Sequence, residues 1–202
     1  MPDALKLDPK KTAFIIIDMI NSTAKGQGPP YTLPPGRVDL VKNFQKLIAQ
    51  CRAGGSPIIY ITTYRRPDGT DAPRTIADAP PPGGGGGQPL GPNDPGPQVI
   101  DELKPEPEDY IVAKPRFSSF YGTNVGGILN ERGIDTILVG GISTPRSVEG
   151  TAREAKNLDM QCVVVSDCCD GPEKDVHEYI LERVLPLLVR VRTTDEVVTA
   201  LS

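Results

Sequence analysis

Asp18, Lys114 and Ser147 are the side chains of this chain best placed to do chemistry. Asp18 ends the apolar run AFIIID (13–18), and Lys114 ends DYIVAK (109–114). Ser147 follows DTILVG (135–140) within the stretch GGISTPRSVEGTAREA (140–155). A carboxylate can take and return a proton. An ammonium group can stabilise the charges that form, and a hydroxyl can attack a carbonyl once a neighbouring base takes its proton. Each has a plainer reading when taken alone: a turn acid, a solvated edge lysine, an ordinary first-turn serine. In the 140–155 stretch Thr144 is expected to cap a helix, with Pro145, Arg146 and Ser147 as its first three residues. A side chain in a helix's first turn lies near unpaired N–H groups and the positive end of the dipole, which favour an anionic nucleophile such as a thiolate.

The elements that must position these residues alternate. AFIIID, SPIIYITTY (56–64), DYIVAK, DTILVG, MQCVVVSD (160–167) and LLVRV (187–191) read as six strands. The continuous apolar run of AFIIID fits a strand buried on both faces. Between them, 37–53, 124–133, 145–157 and 172–187 read as helices, and 193–202 as a last one. Gly54-Gly55 stops the first, and Pro172 suits the opening turn of the fourth. Alternation of this kind implies crossovers, a mainly parallel six-stranded sheet and a three-layer α/β/α architecture in a single domain over 1–202. Sites in such sheets lie beyond the carboxyl ends of strands, where Asp18, Lys114 and the Gly140–Ser147 turn all fall. The stretch 65–98 is dominated by Pro and Gly, with five consecutive glycines, and keeps neither period. It reads as a loop insert that is either a flap over the site or disordered.

The length of 202 residues suits one core, and the net charge of -4 gives no basic footprint for nucleic acid. No run approaches the ~18 apolar residues of a membrane span. MPDALKLDPKK lacks the apolar stretch of a signal peptide, so a cytoplasmic protein with reduced thiols is expected. Cys51, Cys162, Cys168 and Cys169 do not follow a zinc spacing, and His177 is the only histidine. No metal and no cofactor are expected. Cys168 and Cys169 read as structural thiols rather than substitute nucleophiles.

Taken together, these blocks resemble the isochorismatase-like superfamily, in its cysteine-hydrolase branch of N-carbamoylsarcosine amidase-like and ureidoacrylate hydrolase-like enzymes. FIIIDMIN (14–21) is similar to the family's strand followed by Asp-Met-Gln-Asn. KPRFSSFYGT (114–123) looks like its Lys-x-Arg-x-Ser-x-Phe-x-Gly-Thr element, and GISTPRSVEGTAREA (141–155) like Gly-x-x-Thr-x-x-Cys-Val-x-x-Thr-x-x-x-Ala. SDCCDG (166–171) fits the acidic turn after the next strand, and the resemblance spans about 10–192 apart from the insert. It implies the strand order 3-2-1-4-5-6 and a homo-oligomer, dimer or tetramer. It also implies cleavage of a C–N bond in a small amide, ureido or carbamoyl compound. Asp18 would be the base, Lys114 its partner and position 147 the nucleophile. A cis peptide between Ile142 and Ser143 would aim the N–H groups of Ser143 and Ser147 at an oxyanion.

The chain departs from that pattern where it matters most, with serine in place of the nucleophilic cysteine at 147. The readings open here are a cysteine replaced to trap substrate, an isochorismatase-type vinyl-ether hydrolase that works from Asp18 without a cysteine, a native serine enzyme, or a non-catalytic interaction protein. Ile20 stands where the family has Gln, and the region after the second strand has none of the histidines with which nicotinamidase relatives bind metal. Asn21, Tyr64, Arg116, Phe120 and Tyr121 are the candidates for substrate contact. Arg116 could hold a carboxylate or carbonyl through its planar donors.

Overall fold

A computed structural model of the chain describes residues 5–26, 28–66, 68–73, 78 and 91–202. Of the 65–98 insert, residues 67, 74–77 and 79–90 therefore lie outside the described residues.

The six strands are β1 (Thr12–Ile17), β2 (Ile58–Thr62), β3 (Tyr110–Ala113), β4 (Thr136–Ile142), β5 (Gln161–Asp170) and β6 (Arg190–Arg192). They form one sheet in the order β3-β2-β1-β4-β5-β6, and every neighbouring pair is parallel. The expected architecture and strand order are thus observed, with all rather than most of the sheet parallel. β1 is buried from end to end, and its side chains alternate between two cores. Phe14 and Ile16 pack with Leu40, Phe44, Leu47 and Ile48 of α1 (Val38–Gly54) and Val197 of α5 (Thr194–Ala200). Ile15 and Ile17 pack with Val125 and Ile128 of α2 (Val125–Glu131), Ala152 and Ala155 of α3 (Glu149–Asn157), and Leu185. A strand buried on both faces cannot spare polar side chains along its length, so they gather at its end. The rings of Phe14 and Phe44 stack with centroids 5.8 Å apart, which adds about 1 kcal/mol to their burial.

The helical stretches depart from simple expectation in two places. The 145–157 helix is two pieces, a π-helical turn over Thr144–Val148 and then α3. The 172–187 helix begins at Lys174 as α4 (Lys174–Tyr179), loosens into a π turn over Ile180–Val184 and tightens to a 3-10 turn over Leu185–Leu187. Pro186 has no N–H to continue a regular ladder there. α5 carries a capping box, Thr193 with Glu196, that fixes its start. No helix among the described residues is long and apolar enough to cross a membrane.

Candidate active site

Four strand ends, those of β1, β2, β3 and β4, converge on one cavity. Asp18 follows β1, and its N–H donates to the Ile61 carbonyl of β2 at 2.9 Å. Its backbone is left-handed, with φ 52°. Aspartate tolerates this region better than most side chains, at a cost of about 1–2 kcal/mol. Lys114 follows β3, its N–H held by the Thr62 carbonyl at 2.9 Å. β4 runs on to Ile142, and the peptide between Ile142 and Ser143 is cis.

Two glycines allow β4 that reach. Gly141 sits at φ 146°, and a Cβ there would fall on the Ile17 carbonyl of β1. A Cβ on Gly140 would meet Cys168 Cβ at 2.8 Å. β5 answers with an irregularity: Val139 pairs with Val164, yet Gly141 already pairs with Cys169. The bulged strand carries Asp170 to the turn after β4. There the Thr144 hydroxyl donates to the Asp170 carbonyl at 3.0 Å and meets His177 Nδ1 at 2.7 Å. Thr144 is therefore a tertiary tie rather than the helix cap expected from sequence. Ser143 takes the flanking place without a side-chain cap bond. His177, on the face of α4, packs against this turn through that contact.

Lys114 Nζ lies 2.7 Å from Asp18 Oδ2, with side chains only 4% and 9% exposed. The Ser147 hydroxyl sits 3.4 Å from Asp18 Oδ2 and 3.4 Å from Lys114 Nζ. Thr63, one residue past β2, closes the ring: its hydroxyl donates to Asp18 Oδ1 at 2.8 Å and accepts from Lys114 Nζ at 3.0 Å. Two buried opposite charges are tolerable only with such close, fully bonded geometry. All four residues, with Ser143 and Arg116, line a cavity of about 870 Å³.

The remaining sequence candidates lie elsewhere. Residues 63 and 64 point to opposite sides, as successive residues of an extended chain do. Tyr64 consequently lines a separate cavity of about 370 Å³ with Ile111 and Lys104. Phe120 is buried in the core beside Ile61 and Val125, where its apolar ring belongs, and Tyr121 is exposed to solvent. The Asn21 amide donates to the Pro95 carbonyl at 2.9 Å, tying the segment after β1 to the far end of the insert. The Ser147 N–H also differs from expectation. The turn spends it on the Ser143 carbonyl at 3.0 Å, so it is not free as half of the expected donor pair.

Thr63 and Arg146 line the cavity without having been singled out from sequence. Thr63 had the same signal as Asp18, a polar residue just past an apolar strand. Arg146 was concealed by its expected place as an ordinary first-turn residue.

The four cysteines are free and buried. Burial pushes the Cys51, Cys162 and Cys169 thiols up to about 12, and that of Cys168 well above its ordinary value. A thiol so shifted is inert at neutral pH, which leaves the hydroxyl of Ser147 as the site's nucleophile candidate. Among the described residues no three His, Cys, Asp or Glu side chains converge as a metal centre requires.

Residues 12–196 match the family described as "Isochorismatase domain". Over 197 residues the chain is 32% identical to the "uncharacterized isochorismatase family protein YecD" of Escherichia coli O157:H7, covering 98% of this chain and all of that one. A cysteine hydrolase from Pseudomonas syringae pv. phaseolicola superposes with a TM-score of 0.82 at 27% identity, covering 100% of this chain and 98% of that one. N-carbamoylsarcosine amidase from Thermoplasma acidophilum does so with 0.70 at 27% identity, over 92% of this chain and 97% of that one. With a matching sheet order and a match spanning nearly the whole chain, this protein is a member of the isochorismatase family of hydrolases.

Proposed function

We propose that the Asp18–Lys114–Ser147 site cleaves a C–N bond of a small amide, ureido or carbamoyl compound, with position 147 receiving the acyl group. The observation that carries this reading is the placement of the Ser147 hydroxyl 3.4 Å from both Asp18 Oδ2 and Lys114 Nζ, at the floor of the cavity. The likeness to an enzyme named as an N-carbamoylsarcosine amidase adds weight to it.

In the first step the group at 147 loses its proton to the Asp18 carboxylate as its heteroatom bonds to the substrate carbonyl carbon. The carbonyl π electrons move to oxygen, whose developing charge is assigned to the backbone N–H of Ser143 in the cavity wall. Collapse of the tetrahedral adduct breaks the C–N bond, and the proton on Asp18 passes to the leaving nitrogen. Water then adds to the acyl carbon with Asp18 again taking the proton; collapse of this second adduct breaks the bond to the heteroatom of residue 147, the proton on Asp18 returns to that heteroatom, and the acid departs. Lys114 keeps a positive charge beside Asp18 and balances the charge it carries between steps. A serine here lacks the histidine relay through which serine hydrolases activate a hydroxyl, so this chain is a slow form of that chemistry.

A vinyl-ether hydrolysis with Asp18 as proton donor is the second reading. It is favoured by the absence of a thiol from the cavity, since all four cysteines are buried elsewhere. The two separate in one experiment. The parent, Ser147→Cys and Ser147→Cys/Asp18→Asn are assayed for ammonia release from N-carbamoyl amino acids, ureido acids and simple carboxamides, and for turnover of isochorismate. The amidase reading expects Ser147→Cys to raise ammonia release by at least tenfold and Asp18→Asn to abolish it. Turnover of isochorismate by the parent, with no ammonia from either thiol form, would establish the second reading instead.

A further inference from the structure

The cavity above Ser147 holds more positive charge than bond cleavage requires. Lys114 is matched by Asp18, yet Arg65, Arg116 and Arg146 also line the space, and Asp18 is the only acid among the described lining residues. The arginine ion pairs among the described residues belong to Arg37, Arg52, Arg66, Arg153 and Arg192, and none to these three. Arg146 is half-buried, immediately precedes Ser147, and has no side-chain hydrogen bond among the described residues. Arg116 gives one nitrogen to the carbonyls of Pro115 and Asp71, at 2.7 and 3.2 Å, which leaves the rest of its fork. Arg65 gives one nitrogen to the Tyr64 carbonyl at 3.3 Å. The Ser143 hydroxyl, in the cavity wall between β4 and Arg146, is buried without a partner among the described residues. A half-buried guanidinium with no counter-charge is costly unless something supplies one. The chain as a whole has net charge -4, so this local excess runs against its overall balance and would draw small anions to the cavity.

We infer that the cavity takes a substrate bearing a carboxylate, held by the planar fork of Arg146 with Arg116 and Arg65 on the outer wall, while the bond to be cleaved faces Ser147. The bond's identity rests on the hydrolase reading above; the anion site rests on the arginines alone. A guanidinium fork matches a carboxylate in two parallel hydrogen bonds, and a neutral amide offers no such partner.

Binding tests this without turnover. The parent protein is titrated by calorimetry, and its melting temperature followed, with N-carbamoylglycine, succinate, N-carbamoylglycinamide, succinamide and inorganic phosphate. The acids are expected to bind at least tenfold more tightly than their neutral amides, and to weaken as salt rises from 50 to 500 mM. Arg146→Met should lose roughly tenfold to a hundredfold of acid binding, the range of a charge-assisted contact. It should leave the neutral amides unchanged, and Arg146→Lys should recover part of the loss. Arg116→Met, at an exposed position, serves as the second variant with a smaller effect in the same direction. Neutral amides binding as tightly as acids, phosphate outcompeting both, no acid binding at all, or acid binding indifferent to both Arg146→Met and Arg116→Met would each overturn the inference. Acid binding that depends on Arg146, without hydrolysis by Ser147→Cys, upholds the anion site and removes only the hydrolase reading. Hydrolysis of neutral amides untouched by the arginine variants does the reverse.

Discussion

Replacing Lys114 by methionine keeps most of its stem and removes the charge, so it isolates what the ion pair does for the fold. Asp18 would then remain 9% exposed at its side chain with its 2.7 Å partner gone. Breaking one half of a buried pair costs about 3–5 kcal/mol, because the survivor stays desolvated. Asp18 would keep the Thr63 hydroxyl at 2.8 Å, which places the expected loss at the lower end, about 3 kcal/mol. For a chain of this size that corresponds to a fall in Tm of roughly 6–12 °C. Asp18→Asn should cost less, since the amide oxygen still accepts and Lys114 can turn toward Thr63 and Ser147. The double variant removes both charges and should be more stable than Lys114→Met alone, with a coupling of about 2 kcal/mol in the cycle. Urea unfolding of the four proteins, with matching slopes, measures it. A Lys114→Met protein as stable as the parent, or a double variant whose losses simply add, would refute the claim that the two charges hold each other in place.

Two further outcomes follow from the same geometry. Thr63→Val keeps the shape of the side chain but removes the hydroxyl that bridges Asp18 and Lys114, and should lower kcat at least tenfold in a Ser147→Cys background with little change in KM; unchanged kcat would remove Thr63 from the site's positioning. The thiols raised to about 12 from 9.0 favour the protonated form only in the fold. The stability they confer is therefore complete below pH 9 and is lost as pH rises from 9 towards 12, by about 1.4 kcal/mol per pH unit for each thiol at most. Cys51→Ala should flatten the alkaline limb of a stability–pH profile, and a thiol reagent at pH 8 should label none of the four until denaturant is added.

The order of the strands came with the family resemblance. Most of the strands themselves, β6 (Arg190–Arg192) excepted, were legible as apolar runs whose polar residues collect at one end. The same feature disclosed Asp18 and Lys114. It did not disclose which way a residue beyond the strand would face, and that separates Thr63, in the site, from Tyr64, one residue on and in another cavity. Proximity in sequence misled again at 116–121. Arg116 lines the cavity, while Phe120 turns into the core and Tyr121 into solvent, because this segment must both edge the site and seal the sheet's end over Val125.

The displaced helix start has a single physical origin. Gly141 reads in sequence as part of the turn after a strand that ends at Gly140, since glycine commonly marks turns. In the fold both glycines are strand residues, paired with Ile16 and Ile17 of β1. They are glycines because Cys168 and the Ile17 carbonyl occupy the space a Cβ would need. β4 therefore runs two residues further than its apolar run suggests, and the turn opens at Ser143. Thr144 is released from capping to hold Asp170 and His177. The π turn that follows brings Ser147 level with the end of β1, where Asp18 stands. Side chains at the two glycines would move Ser147 away from Asp18, so this pair of small residues shapes the candidate site as much as the charged residues do.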